Sequence, residues 1–171
     1  ESEIISADAR QFYKELNIGV AKPSETQLNE VKHHFINNIS IKETFSVGEY
    51  EKKGLKLINK LFKQHNTLFI CGGSGLYIDA LCEGLNDFPK IDPETKQKTK
   101  RDLMEKGLNF LNKELKIIDP ETYEKIDKKN PRRITRAIEV FRASGKPYSF
   151  YLKKEKQKRN FKTLFIGLTD S

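Results

Sequence analysis

Several features are scarce or missing in this sequence of 171 residues. It contains no tryptophan, one methionine and two cysteines, Cys71 and Cys82. Both cysteines lie in apolar runs without metal-ligand spacing, so we expect buried free thiols in a reducing compartment rather than a disulfide framework or a zinc site. No stretch approaches the roughly 18 apolar residues of a transmembrane helix and no signal peptide opens the chain, so we expect a cytoplasmic protein with no membrane partner.

Negative charge is also in short supply. The chain has 24 acidic residues against 32 lysines and arginines, which gives a formal net charge of +8. A balance this basic indicates a polyanionic partner, with nucleic acid preferred over a membrane surface. Because lysine-rich runs are often only solvated faces, the distribution of the charge has to separate these interpretations.

Three short apolar runs, at residues 3–7, 67–71 and 163–168, predict buried parallel strands. Each run is almost continuously apolar, as expected where helices cover both faces of a sheet. Ser46 and Glu49 form a capping box that predicts a helix between the first two strands. The chain begins and ends beside two of these runs, so we expect both ends to cut through a fold. The predicted fold class is α/β with a parallel sheet.

Residues 86–145 have a different character, because helix signals follow one another without a strand between them. Cap residues stand before proline at three predicted helix starts, and glycine marks two predicted ends. These signals are Asp92-Pro93, Asp119-Pro120 and Asn130-Pro131 for the starts, and Gly107 and Gly145 for the ends. We therefore predict a helical insertion at 86–145 in an α/β core formed by 1–85 and 146–171.

Basic residues are most informative at the start of the last of these helices, where Arg132, Arg133 and Arg136 lie in the first turns. Positive side chains there oppose the helix macrodipole, so their placement costs helix stability. Guanidinium groups converging with backbone N–H groups would make a phosphate site. In the alternative interpretation, Arg132 or Arg136 pairs with Glu139 or a neighbouring acid.

Asp8 and Gln11 follow the first predicted strand directly. The carboxyl edge of an open α/β sheet is where ligands bind, so a carboxylate here could accept a proton and Gln11 could address a base edge. An aspartate after a strand is, alternatively, often only a helix N-cap.

A glycine-rich turn, Gly72-Gly73-Ser74-Gly75, follows the second predicted strand. Such a turn allows close backbone approach or anion binding, although tight packing alone explains many examples. It has neither the Walker A pattern nor the spacing of a dinucleotide site.

Taken in order, the motifs of this chain resemble the tRNA dimethylallyltransferase family. The series is ISADARQ (5–11), NIGVAKP (17–23), VKHHFI (31–36), FSV (45–47), CGGSGLY (71–77), NPRRITRAIEV (130–140) and SGKP (144–147). Several motifs in a fixed order are far more specific than any one of them, and they cover nearly the whole chain.

The resemblance implies a P-loop-type core, truncated here, with a helical insertion that grips the anticodon stem-loop. It implies transfer of a dimethylallyl group from dimethylallyl diphosphate to N6 of the adenine beside the anticodon of tRNA, with Mg²⁺, by a protein expected to be a monomer. Asp8 would be the catalytic acid/base. The tRNA contacts would be Asp8, Ala9, Arg10, Gln11, Ser74, Lys96, Arg132, Arg133, Ile134, Thr135 and Arg136.

Some positions depart from the family pattern. Ala9 stands where the family usually has serine, Lys32 where it has proline and Asn37 where it has aspartate. No Walker A loop occurs, so the diphosphate and magnesium ligands are assigned to no residue of this chain, which we expect to be a fragment with little or no turnover alone. The pair His33-His34 is not expected to bind metal, because adjacent side chains point apart.

Three alternatives stay open on the sequence. The first is a relative that prenylates free adenine nucleotides, which would not need a basic helical insertion. The second is a P-loop small-molecule kinase, which would not carry the Asp8 and Ser74 motifs together. The third is a non-catalytic RNA-binding domain, which steep salt dependence of binding without prenylation would favour.

Overall fold

The computed structural model describes residues 2–152 and 157–169. These residues form two compact units. One contains the described residues up to Leu85 together with 157–169, and the other begins at Asn86 and contains the described residues to 152. Residues 146–152, which the sequence assigned to the core, therefore belong to the helical unit. The Ser149 N–H donates to the Asp119 carboxylate at 2.8 Å, and this bond ties the segment to the helices before it.

The first unit contains a sheet of three parallel strands, which confirms the parallel sheet and two of its predicted strands, while the strand at 33–34 was not predicted. Strand β1 is Ile4–Ser6, β2 is His33–His34 and β3 is Phe69–Cys71, in the order β2-β1-β3. The side chain of Ile5 at the centre of the sheet is fully buried. Cys71 is exposed because side chains alternate along β3 and Cys71 shares the exposed face with Phe69, so its expected burial is wrong. Cys82 is half-buried, and burial raises the pKa of its thiol.

The third predicted strand, at residues 163–168, does not form. No residue of this segment pairs with β1, β2 or β3 in the described chain, and Leu164 and Leu168 are 84% and 96% exposed. A continuous apolar run gives β propensity, but a strand also needs a hydrogen-bonding neighbour. The prediction lacked that second condition.

Three helices accompany the sheet: α1 is Glu25–Glu30, α2 is Val47–Leu61 and α3 is Gly75–Cys82. The Ser46–Glu49 capping box that begins α2 is formed in both directions, which confirms the prediction. Helix α2 buries Tyr50 and Ile58 against the sheet side of the core.

Aromatic rings fill the core of the first unit. Phe12 stacks on Tyr50 with ring centroids 5.3 Å apart, and Phe35, Phe45 and Tyr77 pack around this pair. Burial raises the pKa of the Tyr50 hydroxyl, which donates to the Ser6 carbonyl at 2.9 Å. The core therefore supports the carboxyl end of β1 through a buried hydrogen bond.

The second unit is helical: α4 is Pro93–Ile118, α5 is Pro120–Lys125, α6 is Pro131–Ser144 and α7 is Tyr148–Leu152. The three predicted starts are confirmed, because Asp92, Asp119 and Asn130 each accept backbone N–H groups of the helix that follows. Gly107, with φ 78°, breaks α4 into two helical halves where the sequence predicted an end. Gly145 ends α6 in the left-handed region, as predicted.

A mostly buried ionic network joins α4 to α6. The Arg142 guanidinium lies 2.8 Å from Asp102 and 2.7 Å from Glu114, and it donates to the Thr99 hydroxyl at 3.1 Å. Asp102 and Glu114 lie on opposite sides of the Gly107 break. Arg142 thus fixes the angle between the halves of α4.

No helix among the described residues could cross a membrane. Within residues 2–152 and 157–169, none combines the length and the apolar character that crossing a bilayer requires.

Candidate functional site

Asp8 lies in a turn immediately after β1, at the carboxyl end of the sheet. One of its carboxylate oxygens accepts the Arg10 N–H at 2.8 Å, and its own N–H donates to the Ser6 hydroxyl at 3.3 Å. No helix begins at Asp8, so the N-cap interpretation does not apply. The second oxygen has no hydrogen-bond partner among the described residues. The carboxylate is half-exposed and can accept a further proton or hydrogen bond.

The structure brings the glycine-rich turn against the Asp8 turn. The Ser74 hydroxyl accepts the Ala9 N–H at 3.0 Å, and the Ser74 N–H donates to the Ala7 carbonyl at 3.2 Å. A Cβ atom placed on Gly72 would lie 2.4 Å from the Ala7 carbonyl. Only glycine permits this approach, and the two motifs that the sequence treated separately form one site.

Gln11 is engaged within the chain. The Ser6 hydroxyl donates to its amide oxygen at 2.7 Å, and its amide nitrogen donates to the Ala21 carbonyl at 2.6 Å. The amide that we expected to address a base edge thus links β1 to the loop that carries Ala21. Sequence reasoning gave no role to Ser6, which is 2% exposed and contacts both Asp8 and Gln11. Its presence in the ISADARQ motif was the available signal.

A cavity of about 450 Å³ opens beside β1 and β2. Its polar lining includes Ser6, Gln11, Gln27 and His33. Lys22 also lines it, with its ammonium group donating to the Tyr13 carbonyl at 2.8 Å. Asp8 does not line this cavity, so the cavity neighbours the Asp8 turn through Ser6 and Gln11 rather than containing the carboxylate.

In the helical unit, the side chain of Asn130 accepts backbone N–H groups in the first turn of α6. Its side-chain oxygen accepts the N–H groups of Arg132 and Arg133 at 3.1 and 3.3 Å. The expected phosphate site therefore loses these backbone donors and retains only the guanidinium groups. Ile134 is fully buried in the core of the unit, so its side chain supports the helix. The Thr135 hydroxyl donates to the Pro131 carbonyl at 2.8 Å.

In the alternative interpretation one of these arginines pairs with an acid, and the structure gives only the charge of Arg136 acting on Glu139, without an ion pair among the described residues. There, Arg132, Arg133 and Arg136 make no ion pair with a carboxylate. The Arg136 guanidinium instead lies over the ring of Phe88, 5.4 Å from its centroid. Burial raises the pKa of Glu139, although the positive charges of Arg136 and of the exposed Lys96 oppose that shift.

Metal ligation has no clear basis among the described residues. Residues 2–152 and 157–169 contain no group of three or more histidine, cysteine, aspartate or glutamate side chains placed to hold a metal ion. A His33 ring nitrogen lies 2.7 Å from the Val31 carbonyl, and His34 is hydrogen-bonded to Glu3. These contacts agree with a packing role for the histidine pair.

Fold and site together define an α/β protein with a carboxylate turn at the edge of a parallel sheet and a separate, arginine-bearing helical unit. The family model described as IPP transferase matches residues 11–171. The chain belongs to the IPP transferase family, which confirms the resemblance read from the motifs.

Curated relatives with assigned names support this family membership. The chain is 47% identical over 167 residues to the tRNA dimethylallyltransferase of Christiangramia forsetii, covering 98% of this chain and 55% of that protein. It is 47% identical over 165 residues to the tRNA dimethylallyltransferase of Cytophaga hutchinsonii, covering 96% and 54%. The chain thus spans about half the length of the curated relatives it matches.

One solved structure shares the fold. It is a eukaryotic dimethylallyltransferase acting on tRNA, with a TM-score of 0.73 at 21% identity, covering 91% of this chain and 39% of that one. At this identity the similarity concerns the fold alone.

Proposed function

We propose that this chain forms the base-accepting part of a tRNA dimethylallyltransferase. The reaction would move a dimethylallyl group from dimethylallyl diphosphate to N6 of the adenine beside the anticodon. The names of the relatives support this activity. The observation that carries the proposal is the Asp8 carboxylate, which the Ser74–Ala9 and Ser6–Asp8 hydrogen bonds hold at the sheet edge with one oxygen available.

The chemistry requires such a group. The N6 lone pair of adenine is delocalised into the ring, so the amine is a poor nucleophile. As the bond from N6 to the terminal dimethylallyl carbon forms, the bond from that carbon to oxygen breaks and the diphosphate leaves with the electron pair. The N6 proton then passes to the carboxylate of Asp8, which acts as general base. The adenine must leave its stack to reach this turn.

The resemblance supports further parts of the proposal. These are a P-loop-type core, the helical unit as an insertion that grips the anticodon stem-loop, a cytoplasmic location and a monomeric state. Magnesium and the diphosphate site are also proposed from the resemblance. The described residues present no ligand cluster that fits the metal, so no step is assigned to it. Lys96, Arg132, Arg133 and Arg136 are exposed or half-exposed and can meet an RNA backbone.

Labelled dimethylallyl transfer to an anticodon stem-loop RNA by the full-length protein tests the proposal. Asp8→Asn keeps the shape of the side chain and removes the base, so transfer should fall by about two to four orders of magnitude while RNA binding persists. Asp79→Asn, the same change at an exposed position of α3, is the matched control. An unchanged rate in Asp8→Asn would remove this residue from the mechanism.

The same assay separates the alternatives. Transfer to free adenine nucleotides but not to RNA would identify the nucleotide-prenylating class. RNA binding that weakens steeply with salt, without any transfer, would identify a non-catalytic RNA-binding protein.

A further inference from the structure

The helical unit contains a cleft of about 660 Å³ lined by residues of α5, α6 and α7. This volume falls within the ordinary range of small-molecule sites in proteins. Its lining combines charged residues with apolar ones. The charged residues are four basic ones and one acid, Lys125, Arg132, Arg133, Arg136 and Glu121, and the apolar part includes Ile126, Tyr148 and Leu152. The cleft therefore suits a ligand that carries both an anionic and an apolar part.

Some of the basic residues in the cleft are not paired with a carboxylate of the described residues. Lys125 pairs with Glu121 at 3.1 Å, but Arg132 and Arg133 have no carboxylate partner in the described ranges of the chain. Asn130 accepts the N–H groups of Arg132 and Arg133, and guanidinium groups, which only donate, take no part in capping the helix. Planar guanidinium groups bind phosphate through two parallel hydrogen bonds, so an anionic ligand of this type fits.

Aromatic stacking holds Tyr148, one of the apolar lining residues, in place. The Tyr148 ring stacks on Phe88 with centroids 4.8 Å apart and planes 19° from parallel. Burial raises the pKa of the Tyr148 hydroxyl, although the nearby charges of Arg136 and Arg133 oppose that shift. Leu152, at the end of α7, is 50% exposed. A half-exposed leucine in the same lining as a stacked aromatic ring is a surface against which a flat apolar group can pack.

These two surfaces discriminate between forms of RNA. A duplex presents phosphates and sugars but keeps its bases stacked inside, so it would leave Leu152 uncovered. An unpaired nucleotide offers a phosphate and, within the same residue, the apolar face of a base. We propose that this cleft takes one unpaired nucleotide, with its phosphate at Arg132 and Arg133 and its base against Leu152 and Tyr148. The proposal rests on the proposed function, because it assumes RNA as the substrate, and it adds a nucleotide subsite within the helical unit.

Binding of two RNAs to the full-length protein, measured by fluorescence anisotropy, tests this subsite. One RNA is a hairpin with an unpaired loop, and the other is a perfect duplex of the same length. Leu152→Gln should weaken hairpin binding about fivefold and leave duplex binding unchanged, because the loss concerns base contact alone. Ile117→Gln, the same kind of change at an 81% exposed position of α4, should alter neither.

A variant that removes one positive charge tests the phosphate contact separately. Arg133→Gln should weaken both RNAs and lower the slope of log affinity against log salt by about one. Two outcomes would refute the subsite and leave the proposed function standing. In the first, Leu152→Gln alters neither RNA while Arg133→Gln weakens the binding of both. In the second, Leu152→Gln weakens the binding of both RNAs equally. If the unchanged protein binds neither RNA, both fail.

Discussion

Replacing Gly72 by alanine tests whether the contact between the two turns positions the Asp8 carboxylate, which we propose as the general base. A Cβ atom at Gly72 would lie 2.4 Å from the carbonyl carbon and oxygen of Ala7 and 2.8 Å from the Asp8 nitrogen. All three are backbone atoms, so no side-chain rotation can relieve the overlap. The strand end and the turn after it have to move.

The size of the movement follows from the geometry. Ordinary van der Waals contact begins at 3.4 Å, so the two backbones have to separate by about 1 Å. Overpacking of this kind typically costs about 1–3 kcal/mol of unfolding free energy. A misplacement of about 1 Å in a catalytic group can lower the rate about 100-fold. Since the Asp8 N–H is one of the contacted groups, the displacement reaches the carboxylate directly.

Two measurements on the full-length protein check these values. Urea denaturation followed by circular dichroism gives the stability change, and labelled prenyl transfer gives kcat/KM. Gly73→Ala is the matched control, because a Cβ atom at Gly73 meets no atom within 4 Å. It should leave transfer near the unchanged rate and stability within about 1 kcal/mol.

Equal stability and equal activity of Gly72→Ala and Gly73→Ala would contradict a positioning role for this contact. In that case the turn would yield without moving Asp8, and the close approach of the two backbones would have no role in catalysis.

Three further changes test neighbouring parts of the argument. Ser74→Ala leaves the Ala9 N–H without its acceptor, so urea denaturation should show a loss of about 1 kcal/mol, and an unchanged midpoint would contradict the bond. Arg142→Met leaves Glu114 of α4 without its ion-pair partner and Asp102 with Lys106 alone, so thermal unfolding should show a loss of about 3 kcal/mol. Hydrogen bonding from His34 lowers the pKa of Glu3 in the folded state, so its carboxylate stabilises the fold above its usual pKa of 4.5 and this contribution disappears as pH falls through the lowered value. The stability difference between the unchanged protein and Glu3→Gln should therefore shrink on acidification, and a constant difference would refute the linkage.

What the sequence predicted well is local. The helix starts at Asp92, Asp119 and Asn130 depend on a cap side chain and a proline a residue away, and all three form as predicted. The first two strands lie where continuous apolar runs placed them, although shorter by one or two residues at their ends. Signals of this kind are complete within a few residues, so no distant partner can overturn them.

The differences arise where a distant partner decides. The apolar run at 163–168 has strand propensity but no ladder partner in the described chain, and Cys71 is exposed because it lies on the exposed face of β3. The Arg142 network joins positions on two helices, and no pattern within either helix reveals the pairing. Gln11 was expected to face a ligand, yet its amide is held by groups that the fold brings to it.

In each unit taken by itself, neutral side chains hold the backbone and charged side chains are left to meet a ligand. Ser6 and Ser74 hold the turn that carries Asp8, and Asn130 completes the helix that carries Arg132 and Arg133. One oxygen of Asp8 and the guanidinium groups of Arg132 and Arg133 then have no carboxylate or hydrogen-bond partner among the described residues that they would have to release on binding, so more of their interaction energy is available to a ligand. Neutralising a charged member should therefore reduce binding or transfer with little loss of stability, whereas removing a neutral member should reduce stability together with activity. A charged variant that unfolds as readily as a serine or asparagine variant would show that the charge belongs to the fold.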